Sequence, residues 1–261
     1  MPGSVDMGLV RFAQEFIDEI LKVSDFAAVE RKLDAAARAL GFRHYAMIHH
    51  DDLRDRKPSL IFMQNYPEGY AERYVAECLH RDDPVVEYCH VIDRSFAWSE
   101  LAERELTAEQ RAFLERGARE GVSDGITVPS YVLGERGGSC NFSGPVDPAR
   151  VAGQRWIVQA IGSFAFQTAR RIALGGRLRA VRAAGLAPRE RECIILAGQG
   201  KSNTDIGTIL GISPKTVKFY IERACKRYDV HNRTQLTYAA VVEGEIGVHE
   251  VTPRRYRWLA E

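Results

Sequence analysis

The sequence predicts an α+β protein: an N-terminal α/β/α sandwich around a central antiparallel sheet, followed by a C-terminal all-α domain of four helices. Three observations predict this fold. Two helical patterns open the chain, strand-like pairs follow between further helical patterns, and the last third breaks into short helices. With 261 residues, 45% of them hydrophobic and 27% charged, the chain has an ordinary globular composition.

The N-terminal half begins with two amphipathic helices, the second of which ends at Gly41. Residues 44–50 and 58–66 have the pattern of strands around a charged turn, and residues 125–133 and 138–145 that of a hairpin. The helices are predicted from apolar residues at three- and four-residue intervals: Phe12, Phe16 and Ile20, then Phe26, Val29, Leu33, Ala37 and Leu40.

A change of composition marks the end of this half near residue 172. Residues 169–185 contain two adjacent glycines and five arginines, a composition that fits a link better than a packed core. We therefore predict four regions: an N-terminal domain (1–172), a linker (173–185), a C-terminal helical domain (186–248) and a tail (249–261) without an assigned role.

Cysteine usage and hydropathy exclude several classes of protein. The five cysteines are odd in number and form no CxxC pair, which predicts reduced thiols rather than disulfides or a zinc site. No apolar run approaches the roughly 18 residues of a membrane helix, and the start lacks a secretory signal, so we expect a cytoplasmic protein without a membrane partner. Adjacent strand residues such as His49 and His50 point to opposite faces and do not converge on a metal. With no catalytic constellation, we expect neither an enzyme nor a cofactor.

The C-terminal segment has the turn and capping residues of a helix-turn-helix. Gly211 suits a tight turn, and Ser213 followed by Pro214 suits the N-cap and first position of the next helix. On that helix, four residues at intervals of three or four positions predict a face that packs on the earlier helices: Val217, Ile221, Ala224 and Tyr228. In the helix before the turn, we expect three residues to face inward: Ile206, Ile209 and Leu210.

The opposite face of the third helix combines Lys215, Thr216, Lys218, Phe219 and Glu222. These side chains are able to meet base edges and phosphates, as a recognition helix in the major groove requires. A solvated helix on a small bundle would give the same pattern without binding DNA.

This segment closely resembles the DNA-binding domain of the LuxR family of quorum-sensing regulators. The signature residues are Glu190, Gly200 and the runs TDIGTILGIS and TVKFYIERACKRYDVHNRTQ. The resemblance implies that Lys215, Thr216, Lys218 and Glu222 lie against promoter DNA, and that Lys201 and Arg223 contact phosphates. It also implies a homodimer, paired in part through a fourth helix at about residues 234–243, with RNA polymerase as a further candidate partner.

A second informative segment, residues 65–100, places polar aromatic and acidic groups among apolar neighbours. Buried polar groups at the ends of side chains need hydrogen-bond partners, and a small ligand bearing amide and carbonyl groups would supply them. The alternative is an ordinary half-buried core, because Tyr70 and Tyr74 lie one helical turn apart. The residues concerned are Tyr66, Tyr70, Tyr74, Asp83 and Trp98.

The spacing of these residues, followed by Gly125, resembles the acyl-homoserine-lactone-binding domain of the same family over residues 10–172. The resemblance implies that Asp83 accepts the ligand amide N–H, that Tyr66 and Asn141 lie near the acyl carbonyl, and that Trp98 packs on the lactone ring. Two positions depart from the family: Tyr70 replaces a tryptophan that donates to the lactone carbonyl, and Asn141 replaces a serine or threonine.

We expect the remaining wall of this site to come from Val85 and from one face of the strands. Alternation places six residues on that face: Ala46, Ile48, His50, Leu60, Phe62 and Gln64. Such a bulky wall favours a short, branched or aromatic acyl chain. The alternatives are a non-lactone ligand, or a ligand-independent regulator whose N-terminal half serves dimerisation; an enzyme fused to a DNA-binding domain ranks last.

Overall fold

A computed structural model describes residues 7–51, 53–54, 60–132, 135–144, 148–175 and 185–252. The chain divides into two compact units, Met1–Arg179 and Ala180–Glu261. Most of the predicted linker (176–184) and of the predicted tail (253–261) lies outside the described residues. The exact domain limits therefore stay predictions.

The N-terminal unit is built on a five-stranded antiparallel sheet in the order β2-β1-β5-β4-β3. Its elements, in chain order, are α1 (Met7–Ile20), α2 (Phe26–Leu40), β1 (His44–His49), β2 (Phe62–Gln64), α3 (Tyr70–Ala76), α4 (Pro84–Cys89), β3 (Phe96–Ala97), α5 (Ala108–Arg119), β4 (Gly125–Ser130), β5 (Gly138–Ser143) and α6 (Pro148–Ala173). Two 3-10 turns, Leu79–Arg81 and Trp98–Glu103, connect some of them.

The two opening helices form as the sequence predicts, and local capping fixes their ends. Asp25 accepts a hydrogen bond from the N–H of Ala28 (2.8 Å) at the start of α2. Gly41 ends α2 in the left-handed region, at φ +87°. The predicted apolar positions pack into the domain core, with Phe16, Ile20, Val29, Leu33, Ala37 and Leu40 buried, and Phe12 and Phe26 partly buried against them.

Two layers of helices enclose the sheet, which confirms the predicted sandwich. Helices α1, α2 and α6 pack on one face, whose strand residues include Tyr45, Met47, Val128, Cys140 and Phe142. Helices α3, α4 and α5 lie over the other face. Because side chains alternate along a strand, the strand residues directly before and after these five point to the second face.

The strands are shorter than predicted, and one was not predicted. Strand β2 is limited to Phe62–Gln64 and β4 ends at Ser130, while residues 58–59 and 133–134 lie outside the described part of the chain. Strand β3 is only Phe96–Ala97, too short for any alternating pattern, and it is defined by its pairing with β4.

The C-terminal unit is helical, and its helices begin and end close to the predicted capping and turn residues. It comprises α7 (Pro188–Gly198), α8 (Asn203–Leu210), α9 (Pro214–Tyr228), α10 (Arg233–Val242) and α11 (Val248–Val251). Ser202 caps α8, Gly211 takes a φ of +67° in the turn, and Ser213 caps α9. A Cβ on Gly207 would lie 2.6 Å from the carbonyl oxygen of Ile212, so the tight turn needs a glycine there.

The prediction that Ile209 faces inward is wrong: its side chain is 55% exposed. The buried stripe of α8 is centred between Ile206 and Gly207, and Ile209 lies about a third of a turn away from it. Leu210, on the stripe, is partly buried. The face that this short helix buries is therefore narrower than its apolar content suggests.

Helix α11 lies at the start of the segment that was predicted as a tail without an assigned role. Arg191 of α7 forms an ion pair with Glu250 (2.6 Å), and the side-chain amide of Gln199 donates to the carbonyl of Glu250 (2.7 Å). Residues 248–251 thus extend the helical domain by packing on α7. Among the described helices, none is long and apolar enough to cross a membrane.

Candidate functional site

A cavity lies between the second face of the sheet and helices α3, α4 and α5. It contains about 670 Å³ of space free of protein atoms, including the part that opens to solvent. All nine predicted ligand-binding residues line it: Ile48, Phe62, Tyr66, Tyr70, Tyr74, Asp83, Val85, Trp98 and Asn141. Their role in binding stays a prediction, but the fold brings them to one place.

The sheet forms a polar floor under this cavity. The indole N–H of Trp98 donates to Oγ1 of Thr127 (2.8 Å), and the Thr127 hydroxyl donates to Oδ1 of Asn141 (2.7 Å). The Nδ2 of Asn141 in turn donates to Oγ of Ser139 (3.3 Å). Thr127, Ser139 and Asn141 are buried, so this strand face is polar although water is excluded. A core evolved for packing alone would place apolar residues here.

Asp83 is the buried acid of the cavity, held by helix α4 and by α3. Its Oδ1 accepts the N–H of Val85 as the N-cap of α4, and its Oδ2 accepts the hydroxyl of Tyr74, each at 2.9 Å. Burial raises the pKa of Asp83 to about 6, against the lowering effect of Tyr74 and of the Val85 and Val86 N–H groups. The group is therefore mostly ionised at neutral pH, and its oxygens retain lone pairs for a further donor.

Two tyrosines face each other beside this acid. The ring of Tyr70 meets the ring of Tyr66 edge-on with centroids 5.1 Å apart. Burial raises the pKa of both phenols, so both stay protonated and able to donate a hydrogen bond. The Tyr70 hydroxyl lies over Gly117 of α5, where a Cβ would be 3.6 Å from it.

Sequence reasoning missed the wall that α5 and its C-terminal turn contribute. Phe113, Leu114, Gly117 and Val122 line the cavity, although none was predicted. The available signal was the glycine inside a helical pattern, which often marks a close approach. Ala71, Val86 and Ser139 also line the cavity.

Two residues expected on the cavity face, His50 and Leu60, are not among the lining residues. Strand β1 ends at His49. The His50 side chain lies beside Ser139, and its Nε2 is 3.0 Å from the Ser139 Oγ. Leu60 precedes β2 and packs against the apolar cluster that includes the cavity residues Tyr70, Tyr74 and Phe113, without lining the cavity itself. Ala46 and Gln64 line the cavity as predicted.

The predicted DNA-reading residues lie on one face of α9. Lys215, Lys218, Phe219 and Glu222 are exposed, and Thr216 is half-buried with its Oγ1 2.8 Å from the capping hydroxyl of Ser213. The opposite face is buried as predicted: Val217, Ile221, Ala224 and Tyr228. Lys201, which precedes α8, is exposed.

Arg223, predicted to contact phosphate, has a partner within the protein. Its Nε donates to Glu190 (2.6 Å), and Arg227 donates to both oxygens of the same carboxylate (2.8 and 3.0 Å). Burial raises the pKa of Glu190, but the Ala187 N–H and the two guanidinium groups outweigh it, and the pKa lies below its usual value. Glu190 thus fixes α9 to α7 and orients Arg223.

Within the described parts of the chain, no three His, Cys, Asp or Glu side chains converge on a possible metal position. Comparison with known proteins gives two family matches. Residues 25–171 match the family described as "Autoinducer binding domain", and residues 184–240 match "Bacterial regulatory proteins, luxR family".

Similar proteins span nearly the whole chain. The quorum sensing-dependent transcriptional regulator RpaR of Rhodopseudomonas palustris is 27% identical over 237 residues, covering 90% of this chain and 95% of RpaR. The transcriptional activator LuxR of Aliivibrio fischeri is 23% identical, with coverage of 89% and 94%. Both are named as regulators of transcription rather than as enzymes.

Among solved structures, SdiA in complex with octanoyl-rac-glycerol has a TM-score of 0.58 at 19% identity, covering 92% of this chain and 97% of SdiA. The structure of SdiA from Escherichia coli in a second form has a TM-score of 0.56 at 18% identity, with coverage of 94% and 99%. At this identity the likeness concerns the fold, and it agrees with the α+β architecture described above.

Proposed function

The chain belongs to the LuxR family of autoinducer-binding transcription regulators, and from that premise we propose that an N-acyl-homoserine lactone bound in the N-terminal cavity controls its binding to promoter DNA. One observation carries the proposal: a buried, ionised Asp83 with spare acceptor capacity lies in the same cavity as tyrosine hydroxyls and an amide. Such an arrangement suits a ligand that has one N–H and two carbonyl groups.

Each polar group of the lactone has a complementary partner in this arrangement. Asp83 accepts the amide N–H, and Tyr66 with Nδ2 of Asn141 donates to the acyl carbonyl. The Tyr70 hydroxyl takes the place of the family's indole and donates to the ring carbonyl. Because the N–H of Trp98 already donates to Thr127, its indole offers the lactone its face rather than its hydrogen.

The acyl chain runs between apolar walls from two layers. Ile48 and Phe62 come from the sheet, Val85 from α4, and Phe113 and Leu114 from α5. These are bulky residues in a cavity whose empty space of about 670 Å³ includes its mouth. They favour a short, branched or aromatic acyl group over a long flexible one.

The regulator acts as a homodimer in this proposal, because two recognition helices on a two-fold site read more bases than one. Exposed aromatic side chains offer pairing surfaces in both units: Trp156 (47% exposed) and Phe164 (39%) on α6, and Tyr238 (67%) on α10. Lys215, Thr216, Lys218 and Glu222 meet the major groove, while Lys201 and Arg223 approach phosphates. RNA polymerase stays a candidate partner for activation.

A second candidate is an acyl ligand without a lactone ring. Tyr70 stands where the family's lactone-contacting tryptophan is usual, and SdiA, with the same fold, has been solved with octanoyl-rac-glycerol. An acylglycerol has no amide N–H, so a glycerol hydroxyl would have to donate to Asp83 in its place.

The test is expression of the full chain with and without a panel of short, branched and aromatic acyl-homoserine lactones. We expect one or more lactones to raise the soluble yield and the melting temperature, since a ligand stabilises the folded state that it binds. The same lactone should change affinity for promoter DNA in a gel-shift titration, and sedimentation should show a dimer. Identical yield, melting temperature and DNA affinity with every lactone, but a rise with octanoyl-glycerol, would favour the second candidate.

A further inference from the structure

Ser139 is the one cavity-lining residue on β5 that neither the proposed lactone contacts nor the apolar core explains. It is 1% exposed and lies on the strand two residues before Asn141. Two nitrogen atoms approach its Oγ: Nδ2 of Asn141 at 3.3 Å and Nε2 of His50 at 3.0 Å. The direction of these hydrogen bonds decides where the Ser139 hydrogen points.

Asn141 acts as a donor to Ser139, because its Oδ1 is already occupied by the Thr127 hydroxyl. The chain of donors therefore runs from Trp98 through Thr127 and Asn141 toward Ser139. This order fixes the amide orientation of Asn141 from its own partners.

The tautomer of His50 follows from its other nitrogen, Nδ1, which is buried and has no hydrogen-bond partner among the described residues. Burial lowers the pKa of His50 to about 3, with smaller contributions from His90 and His49, so the ring is neutral and carries one hydrogen. An orphaned buried N–H is costlier and rarer than an orphaned lone pair. The hydrogen therefore lies on Nε2, and His50 donates to Ser139.

Ser139 Oγ then accepts two hydrogen bonds, which use both of its lone pairs, and its own hydrogen is left to donate. The Cys89 thiol is one partner of this hydroxyl: burial and the charge of Asp83 raise the thiol pKa, while a hydrogen bond with Ser139 lowers it. Thiol sulfur is a weak acceptor, so a ligand oxygen would displace it.

We propose that Ser139 is a specificity-determining donor that selects an acyl chain carrying an oxygen atom in its distal part, as a hydroxyl or carbonyl group. The inference rests on the proposed lactone function, which places the amide carbonyl at Asn141. Two residues along a strand span about 7 Å, so Ser139 meets the chain several carbon atoms beyond that carbonyl rather than beside it.

The experiment measures the affinity of the full chain for two matched pairs of lactones by isothermal titration. The first pair is hexanoyl-homoserine lactone and its analogue with a terminal hydroxyl; the second is phenylpropanoyl-homoserine lactone and its para-hydroxy analogue. We expect the hydroxylated member of at least one pair to bind about 3- to 10-fold more tightly, as one added neutral hydrogen bond allows.

Variants separate this donor from a merely structural effect. Ser139→Ala should abolish the preference, because it removes the hydroxyl that meets the distal oxygen; any loss that acts through Asn141 should be shared by both members of a pair. His50→Phe removes the donor that orients Ser139 and should reduce the preference. Ser143→Ala, a buried serine on the same strand and face that contacts Tyr66 rather than Ser139, should change the affinity for both members alike and leave the preference unchanged.

The outcomes distinguish the two proposals. Binding of both members without a preference, or a preference that survives Ser139→Ala, overturns the role of Ser139 and leaves the lactone function standing. A loss of equal size for both members in Ser139→Ala also overturns it, because the residue would then only support the fold. Binding of no lactone at all refutes the lactone function and, with it, this inference.

Discussion

Among the described residues, each of the two units has one buried carboxylate, and the surroundings shift its pKa in opposite directions. In the C-terminal unit, Glu190 is surrounded by Arg223, Arg227 and a backbone N–H, and its pKa falls. In the N-terminal unit, Asp83 meets a tyrosine hydroxyl and backbone N–H groups but no cation from the described part of the chain, and its pKa rises to about 6. The carboxylate of Glu190 has its hydrogen-bond donors within the protein, whereas the carboxylate of Asp83 is able to accept a further hydrogen bond from a ligand.

Under the proposed function, this difference separates a structural acid, Glu190, from a ligand-binding acid, Asp83. A buried charge that is fully paired holds two elements together, and losing one member of the pair is costly. A buried charge without a cation makes the empty domain less stable than it would be otherwise, and a ligand that donates to it recovers part of that cost. Under the proposed function, the C-terminal unit is held by its own ion pairs, and the N-terminal unit is the one that a ligand would stabilise.

The largest effect is expected at Glu190. Glu190→Gln leaves two guanidinium groups beside a neutral amide and should lower the free energy of unfolding of the C-terminal unit by about 3 kcal/mol. Hydrogen exchange of the α9 amides, followed by mass spectrometry in the full chain, measures it. Glu192→Gln is the matched control, because this half-exposed acid forms a surface ion pair with Arg189 at 2.8 Å and should change stability by less than about 0.5 kcal/mol. Equal effects in the two variants would contradict the structural role.

Asp83→Asn should weaken lactone binding by about 10- to 100-fold, since a charged acceptor of the amide N–H is lost. The same variant should not reduce the melting temperature of the ligand-free protein, because asparagine also caps helices and its burial costs less than that of a charge. Asp82→Asn, at the exposed neighbouring position, is the control. A large loss of stability without ligand would mean that Asp83, like Glu190, is structural.

The pH dependence should have opposite signs for binding and for stability. Lactone affinity should fall by up to tenfold per pH unit as pH drops below about 6, because protonated Asp83 no longer offers the amide an anionic acceptor. The folded-state pKa lies above the ordinary value of 3.8, so this group should instead stabilise the ligand-free protein as pH falls from about 6 toward 4. Titration calorimetry and melting curves over this window measure both, and Asp83→Asn should remove both dependences.

The smallest effect is expected at Tyr70. Tyr70→Phe removes one neutral donor to the ring carbonyl and should weaken binding of a lactone by about 3- to 10-fold. The matched ligand is the same acyl amide of cyclopentylamine, which has no ring carbonyl and should bind both forms equally well. If the variant loses the same affinity for both ligands, the hydroxyl does not face the carbonyl.

Much of the site could be predicted because its signals are local in the sequence. The capping pair of Ser213 and Pro214 and the period of α9 place the recognition helix without any tertiary information. The residues from Tyr66 to Trp98 were found through the family resemblance that their spacing carries, and they all line the cavity. Strand β3 and the α5 wall were missed because a two-residue strand has no period and a helix pattern does not say which neighbour it covers.

The sequence by itself determined the two-unit α+β architecture, the helix ends and the side chains available for ligand and DNA, because these depend on neighbours within a few residues. Only the tertiary structure decided that Glu190 has two guanidinium partners while no cation of the described residues pairs with Asp83, that Ile209 is exposed, and that Ser139 lies beside both Asn141 and His50. Those outcomes depend on residues far apart in the chain: 89 positions separate His50 from Ser139 and 33 separate Glu190 from Arg223. Burial and pairing at such distances arise from packing, which no local pattern encodes.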